Sequence, residues 1–515
     1  MHTDARTLED GALIEGDLCI VGAGAAGISM AMEWIGTPYT VILLEGGGFN
    51  YEPQMQALYA GKSIGDPYKV PLEAARLHYF GGTTGHWGGW CAPMDPIDFK
   101  KRDWVPHSGW PFQKEHLDPF YERAQAYVEL GPYVYDVADY EARYPSWKRL
   151  PFDEEKIWTK MWQFSPPTRF GTQYRDTIID AENLHLYTYA NVTEIEANES
   201  VRAVAGLRAQ TIDGKRHRVR ARHYVLACGS IQNARILLAS NAQAPAGLGN
   251  DHDLVGRFFM EHFEMGGAQL ILEKPDPMPM YAFRLGGERP PSGELALAEQ
   301  AQRKHRILNG TASLRPGTFP EEMRSFFQRF SDDDLRQWMR SDEQEGEQPR
   351  RPPNRPAAPD EGRRDYQLQS RAEQMPNPAS RVVLSTEKDA LGMPYADLHW
   401  KLSELDKRSM RIFFEMVAHE FGRTGQGRVQ ILDWLLEDDT TWPSFLGGGF
   451  HHMGTTRMHD DPRQGVLDAN AKVHGIENLY VAGASTFPTS GAPNPTLTLI
   501  ALSLRLSDHL KHTIG

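Results

Sequence analysis

Residues 17–45 read DLCIVGAGAAGISMAMEWIGTPYTVILLE, and their pattern indicates the fold class. The apolar run at 18–21 predicts a buried strand, and TVILLE at 40–45 predicts a second one. The Ala-rich segment between them predicts an amphipathic helix. A strand, a glycine-rich turn, a helix and a second strand in this order form the first unit of a doubly wound α/β sheet with parallel strands.

Three glycines, Gly22, Gly24 and Gly27, occupy the turn in G-x-G-x-x-G spacing. One permits the tight turn, one lets the backbone approach a pyrophosphate, and one lets the helix pack closely on the strand. The helix N-terminus then presents unpaired N–H groups to the phosphates. Glu45 follows Gly24 by 21 residues, near the ~20 expected for a carboxylate that holds a ribose hydroxyl. The unit predicts a bound dinucleotide, NAD or FAD, and a glycine-rich turn without a ligand is the alternative.

Two later segments repeat the strand–turn–helix pattern, so the nucleotide domain is predicted to be discontinuous. In HYVLACGSIQNARILLAS, a strand at 224–227 is followed by a turn at Gly229 and a helix at 231–240. NLYVAGASTFP and the following SGAPNPTLTLIALSLRLSDHL close the chain with a third such unit. The stretch 191–219 predicts a small sheet.

The chain has 515 residues, more than one hydrophobic core usually fills, so we expect two joined domains. We assign residues 1–274, with excursions near 90–180, and residues 451–515 to the nucleotide domain. Residues 275–450 are assigned to a substrate domain of mixed helices and strands. Within it, residues 331–364 are crowded with charge and Pro, which predicts a mobile surface loop or, alternatively, a lid over a substrate entrance.

Composition excludes several classes of protein. The net charge of −13 argues against nucleic acid and anionic membranes as partners, and no apolar run approaches the ~20 residues of a membrane span. The first residues are acidic and lack an apolar core, so we expect no secretory signal and a cytoplasmic location. Cys19, Cys91 and Cys228 lack metal-ligand spacing, and we expect small buried residues rather than an iron–sulfur cluster.

The sequence resembles the glucose–methanol–choline (GMC) oxidoreductases, a family of FAD-binding flavoproteins. The resemblance runs over nearly the whole chain, through VGAGAAG with Glu45, GGTTGHWGG at 81–89, WPFQKEHLDPFYERA at 110–124, LVGRFFMEHF at 254–263, EQMPNPASRVVL at 373–384 and GAPNPTLT at 491–498. It implies FAD as the cofactor. It also implies the GMC fold, in which a Rossmann-like α/β FAD-binding domain is joined to an α+β substrate domain with a mixed sheet.

Within the family, the sequence most resembles bacterial sugar-oxidising members, the glucoside 3-dehydrogenases and the pyranose-oxidase-like glycoside 3-oxidases. TTGHWGG, FSPPTRFG at 164–171 and HHMGTTRM at 451–458 carry this similarity. It implies oxidation of a secondary hydroxyl of a sugar or glycoside, at C3 or at C2, and reoxidation of the flavin by oxygen, a quinone or a cytochrome. A small signal-bearing subunit could carry the protein to the periplasm. An enzyme acting on a non-sugar alcohol and a flavin-bearing lyase are the alternatives.

The resemblance also places His451 and Asn494 on the substrate side of the flavin ring. It implies that His451 takes the hydroxyl proton while the carbinol hydrogen leaves as hydride for flavin N5. An imidazole with a pKa near ~6.5 suits this role at neutral pH, and an amide can hold the same oxygen without titrating. The adjacent His452 is the alternative base, and a structural pair of histidines is a further alternative. We expect no metal site.

His86 stands where pyranose oxidases link a histidine covalently to the flavin 8α-methyl group, but Gly85 replaces the preceding Thr. Covalent and non-covalent attachment therefore both stay open. His262 is expected to be structural, and unassigned substrate contacts are expected from 366–374. Tryptophans that could line a sugar site are Trp87, Trp90 and Trp442. The residues predicted to contact FAD are Gly22, Gly24, Ala26, Gly27, Glu45, Gly82, Thr83, His86, Trp87, Val192, Gly229, Gly483, Ala484, Asn494 and Thr496.

Overall fold

The computed structural model describes residues 1–66, 68, 70–282, 290–317, 362–443 and 446–514. Its strands are, in chain order, β1 (His2–Asp4), β2 (Leu13–Glu15), β3 (Leu18–Val21), β4 (Val41–Leu44), β5 (Ser63–Gly65), β6 (Trp90–Cys91), β7 (Ile157–Phe164), β8 (Leu184–Thr188), β9 (Asn191–Ala197), β10 (Val204–Gln210), β11 (Arg216–Arg220), β12 (His223–Leu226), β13 (Phe263–Leu272), β14 (Ser292–Leu297), β15 (Gly310–Pro316), β16 (Asp365–Ala372), β17 (Arg381–Lys388), β18 (Pro394–Trp400), β19 (Gly427–Ile431), β20 (Gly447–Gly448) and β21 (Leu479–Val481). Its α-helices are α1 (Ala25–Glu33), α2 (Pro53–Gln56), α3 (Pro96–Phe99), α4 (Asp118–Tyr127), α5 (Val137–Arg143), α6 (Phe170–Gln173), α7 (Arg175–Asp180), α8 (Ser230–Ala239), α9 (Glu299–His305), α10 (Glu404–Arg423), α11 (Asp433–Leu436) and α12 (Pro495–Ile514).

The apolar strands at the start of the chain form the centre of a parallel sheet. Its order is β1-β8-β4-β3-β12-β21, and every neighbouring pair runs parallel. All residues of β3 and β4 are buried, which is why these strands are continuous apolar runs rather than alternating ones. The first, middle and last parts of the chain thus meet in one sheet, and the glycine-rich turn follows its central strand β3.

A large antiparallel sheet forms the second layer of structure. Its order is β19-β13-β16-β15-β14-β7-β6, and β20 pairs with β13. Strands β6 and β7 lie in the predicted excursions near 90–180, whereas β13 lies before the boundary placed at residue 274. The chain enters this sheet at Phe263, eleven residues ahead of that boundary.

Two smaller sheets complete the described part of the chain. Strands β9, β10 and β11 form an antiparallel meander, as predicted for 191–219, and β2 pairs in parallel with β11. Strands β17, β18 and β5 form a three-stranded sheet. The predicted loop at 331–364 lies outside the described residues except for 362–364. Cys19 and Cys91 are buried free thiols, and Cys228 is half-buried.

Candidate active site

The glycines of this turn and of two later turns differ in the space that surrounds them. A Cβ on Gly27 would lie 1.9 Å from the Gly22 carbonyl oxygen, so this position serves the packing of α1 on β3. A Cβ on Gly24 or Gly229 would meet nothing within 4 Å, and one on Gly483 would meet only the Cβ of Ala26, at 3.9 Å. Open space therefore lies before these three glycines, which follow β3, β12 and β21. This arrangement fits a pyrophosphate at the N-terminus of α1.

Beside the turn, a cavity opens at the carboxyl ends of β3, β4 and β12. Glu45 lines it and is buried, with Oε2 accepting from the Ala23 N–H (3.0 Å) and Oε1 from the Gly47 N–H (2.8 Å). Burial raises the pKa of the Glu45 carboxyl, against the effect of these N–H bonds. Val192 lines the same cavity. Its position at the ends of these strands and its acidic group fit the adenosine part of FAD.

The predicted FAD-contacting residues are brought together in three further places. Those in or beside the glycine-rich turns are Gly22, Gly24, Ala26, Gly27, Gly229, Gly483 and Ala484. Those in the loop that covers the first turn are Gly82, Thr83, His86 and Trp87. Gly81 N–H donates to the Ala23 carbonyl at 2.7 Å, which holds this loop in place. Asn494 and Thr496 lie at the start of α12, where the first N–H groups have no partner within the helix.

Several polar and aromatic residues that line the cavity were not predicted from the sequence. They are Tyr59 and His78, whose rings stack with centroids 4.2 Å apart, together with Gln232, Arg235 and Asp389. Arg235 donates to Asp389 at 2.6 Å in a buried ion pair. These residues come from segments far apart in the chain, and no local pattern marks them.

His451 and Asn494 lie side by side, with Nε2 of the histidine 3.0 Å from Nδ2 of the amide. The Asn494 Oδ1 accepts from the Trp162 indole N–H at 3.4 Å. Because an indole nitrogen only donates, the amide oxygen faces Trp162 and the amide nitrogen faces His451. The amide nitrogen also only donates, so the contact requires a lone pair on His451 Nε2.

Burial is the main cause that lowers the pKa of His451 well below its ordinary value, and electrostatic interactions with His262, Arg371 and His452 act in the same direction. The His451 backbone N–H donates to Glu261 Oε1 at 2.7 Å. Burial also raises the pKa of Glu261, to about 8. The structure therefore holds a neutral imidazole beside the amide.

The adjacent His452 points elsewhere. Its Nε2 lies 2.6 Å from the Tyr68 hydroxyl, which donates to Glu261 Oε2 at 3.3 Å. Burial, and secondarily the charge of Arg76, lowers the pKa of His452 to about 3. Of the two histidines, His451 is the one that contacts Asn494. His262, which was expected to be structural, lies with Nδ1 3.0 Å from His451 Nδ1.

A polar face of the large sheet borders this pair. Glu264, Arg371 and Thr311 are neighbours across β13, β16 and β15 and share one face. Arg371 Nε donates to Glu264 Oε1 at 2.9 Å, and Arg371 Nη1 lies 3.5 Å from Glu294 Oε2. The Arg371 guanidinium lies 5.9 Å from the ring centre of Trp162, which itself contacts Asn494. Arg371 falls in the 366–374 stretch expected to supply substrate contacts.

The predicted sugar-site tryptophans differ in their surroundings. Trp90 lies 5.1 Å from the Arg371 guanidinium and so borders the polar face. Trp87 Nε1 donates to the Thr168 carbonyl at 2.9 Å. Trp442 packs edge-on against Phe263 with ring centres 5.4 Å apart, on the side of β13. Only Trp90 among the three contacts the charged residues of the sheet face.

Two family models match this chain. Residues 17–246 match the FAD dependent oxidoreductases, and residues 376–503 match the GMC oxidoreductases. The chain thus combines an FAD-dependent oxidoreductase domain with the C-terminal domain of the GMC oxidoreductases, and its cofactor is FAD. The fold class predicted from the sequence is confirmed.

Several known proteins are similar to this chain. The fructose dehydrogenase large subunit of Gluconobacter japonicus is 23% identical and aligns with 96% of this chain and 97% of its own. The C-glycoside 3-oxidase of Microbacterium trichothecenolyticum is 35% identical over 26% of this chain and 25% of its own. The crystal structure of pyridoxine 4-oxidase from Mesorbium loti has a TM-score of 0.57 at 17% identity and covers 96% of this chain and 99% of its own. That structural likeness shows the shared fold.

Within the described ranges, no helix combines the length and apolar character needed to cross a bilayer. The same ranges contain no group of three or more His, Cys, Asp or Glu side chains placed to hold a metal ion.

Proposed function

We propose that this enzyme oxidises a secondary hydroxyl of a sugar or glycoside to the keto-sugar, with C3 favoured over C2 and with His451 as the base. The observation that carries the proposal is the 3.0 Å contact between His451 Nε2 and Asn494 Nδ2. It presents a lone pair and an N–H group at neighbouring positions, which together suit one alcohol oxygen. A purely flavin-binding partner protein would not need this pair.

In the proposed reaction, the hydroxyl oxygen lies beside His451 Nε2 and Asn494 Nδ2, within hydrogen-bond distance of both. His451 Nε2 accepts the hydroxyl proton, and Asn494 Nδ2 donates to the oxygen as it becomes a carbonyl. FAD, when bound, supplies the acceptor for the hydride that leaves the carbon bearing this hydroxyl. The alcohol thus loses one proton and one hydride and becomes a ketone.

A sugar is the proposed substrate class because the wall beside the pair is polar. Glu264, Arg371 and Glu294 offer carboxylate oxygens and guanidinium N–H groups, which suit a substrate with several hydroxyls. Trp90 adds an aromatic face at the edge of this group. Two similar proteins, a fructose dehydrogenase and a C-glycoside 3-oxidase, support the same class.

The test is anaerobic mixing of the purified enzyme with a panel of sugars, glycosides and simple alcohols. Bleaching of the flavin band by a sugar or glycoside, followed by NMR of the keto product, would support the proposal and identify the carbon. Bleaching by simple alcohols alone would favour a non-sugar alcohol, and cleavage without bleaching would favour a lyase. Reoxidation rates with oxygen, a quinone and a cytochrome would then identify the electron acceptor.

The acidity of the proposed base predicts a pH profile. A lowered pKa means that His451 loses its proton at lower pH, so its base form persists below pH 6.5, the ordinary value. The rate constant for flavin reduction should therefore stay level from neutral pH down through 6.5, with its acid limb below that value. Anaerobic stopped-flow measurements across pH check this. An acid limb centred at or above 6.5 would contradict a buried neutral base.

A further prediction concerns flavin attachment. His86 is buried within the loop at 81–89, with its ring 6.3 Å from that of Phe450, and Gly85 replaces the Thr of the pyranose-oxidase pattern. We expect non-covalent binding, so acid precipitation should release FAD into the supernatant. A yellow pellet that becomes colourless in His86→Ala would instead show a covalent bond at this residue.

A further inference from the structure

A series of four hydrogen-bond contacts runs through the proposed base. Trp162 Nε1 lies 3.4 Å from Asn494 Oδ1, and Asn494 Nδ2 lies 3.0 Å from His451 Nε2. On the other side of the ring, His451 Nδ1 lies 3.0 Å from His262 Nδ1, and His262 Nε2 lies 2.8 Å from the Gly491 carbonyl oxygen. The direction of the hydrogen bond is fixed at both ends of the series, because an indole nitrogen only donates and a carbonyl oxygen only accepts.

These ends determine where each proton lies. The Gly491 carbonyl requires the proton of neutral His262 on Nε2, which leaves a lone pair on His262 Nδ1. His451 Nδ1 must then be the donor in the contact between the two rings. His451 Nε2, facing an amide N–H, carries the lone pair.

We propose that His262 is a positioning residue that holds His451 in the tautomer with its proton on Nδ1. This is the form whose Nε2 can accept a proton from the substrate, so the inference rests on the proposed role of His451. His262 does not touch the reacting atoms. It acts by making the opposite tautomer unfavourable, since that tautomer would set two lone pairs against each other at 3.0 Å and two N–H groups against each other at the amide.

The surroundings of His262 keep its Nδ1 able to accept a hydrogen bond from His451. The side chain is fully buried, and burial, with the charge of Arg371 acting in the same direction, lowers its pKa to about 4, while Glu264 opposes the shift. The ring therefore stays neutral at physiological pH. A charged His262 would carry protons on both nitrogens and could not accept from His451.

The loop that carries Asn494 also carries the carbonyl that orients His262. Gly491 has φ +56, and a Cβ there would lie 2.7 Å from Asp98 Oδ2 and 3.0 Å from Met94 Cε. Only glycine suits this left-handed, tightly packed position. The loop thus fixes both sides of the His451 ring, one through the amide and the other through His262.

Two substitutions of His262 separate its two contacts. In His262→Asn, the amide oxygen can take the position of Nδ1 and accept from His451, while the bond to Gly491 is lost. In His262→Gln, the longer amide can replace Nε2 and keep the bond to Gly491, while the acceptor for His451 is lost. Both changes replace a ring by an amide in the same buried site, so each serves as a control for the other.

We expect His262→Gln to slow flavin reduction about 10–100-fold, the usual cost of losing a hydrogen-bond partner that orients an active-site histidine. His262→Asn should stay close to wild type, and KM should change little in either. The measurement is anaerobic stopped-flow reduction by whichever alcohol reduces the wild-type flavin fastest. Equal rates in the two variants, or a faster Gln variant, would overturn the proposal.

A second measurement needs neither a substrate nor a substitution of His262. In the holoenzyme labelled with ¹⁵N-histidine, the resonances of His451, assigned with His451→Ala, should show Nδ1 protonated and Nε2 unprotonated. A proton on Nε2 would overturn the inference. Failure of every sugar to reduce the wild-type flavin would overturn the proposed substrate class while leaving this tautomer result intact.

Discussion

Replacing His451 with Ala should lower the rate of flavin reduction by the best glycoside about 10²–10⁴-fold, the usual contribution of a general base. The FAD content should stay near wild type, because the substitution leaves the glycine-rich turns and Glu45 unchanged. Asn494→Ala should also slow reduction, since it removes the N–H that faces Nε2. Its pH profile should keep the ionisation of His451, whereas His451→Ala should lose it. Anaerobic stopped-flow reduction of the variants measures both effects.

His452→Ala is the matched control, because the two histidines are neighbours in sequence and both are largely buried. It removes the contact with Tyr68 and leaves the contact between His451 and Asn494 in place. We expect a much smaller loss of rate. If His452→Ala abolished reduction and His451→Ala left it normal, the base would be His452. Wild-type rates in all three variants would show that these residues do not perform the chemistry.

The sequence predicted the parallel sheet well because its signal is local. Continuous apolar runs identified β3 and β4, and the predicted strand at 224–227 differs by one residue from β12. The domain boundary at residue 274 stays a prediction, but it lies after β13, which belongs to the large antiparallel sheet. Sheet membership is decided by pairing with β16 and β19, which lie far along the chain. Long-range pairing leaves no trace in a local pattern.

The site itself was only partly predictable, for a similar reason. Motif position indicated His451 or His452, but side-chain direction depends on the backbone. Phe450, with φ +62, turns the chain just before the two histidines. After this turn, the side chain of His451 lies beside Asn494. Trp162 and His262 are hundreds of residues from Asn494 and carry no motif that links them to it. Their contacts arise only when the two large sheets are brought together.

The second large effect is expected from alanine substitutions of Gly27 and Gly24, which differ in the space around them. Gly27→Ala would place a Cβ 1.9 Å from the Gly22 carbonyl oxygen, so α1 must move away from β3. Overpacking of this kind typically costs about 1–3 kcal/mol and occasionally more. The melting temperature should fall and stay low even with FAD in excess, because the fault lies in the protein fold.

Gly24→Ala should behave differently. Gly24 has φ −88, which suits alanine, and its Cβ would meet no protein atom within 4 Å. The added methyl group instead occupies the space that fits the pyrophosphate, so FAD should be lost on dialysis and affinity should fall. Excess FAD should restore the melting temperature, since a ligand stabilises the fold it binds by an amount that grows with the logarithm of its concentration over its Kd. Gly131→Ala, equally open but distant in the chain from the turn, is the control and should match wild type in both measurements. If Gly24→Ala retained FAD as wild type does while Gly27→Ala melted normally, the turn would not hold the pyrophosphate in the way its geometry indicates.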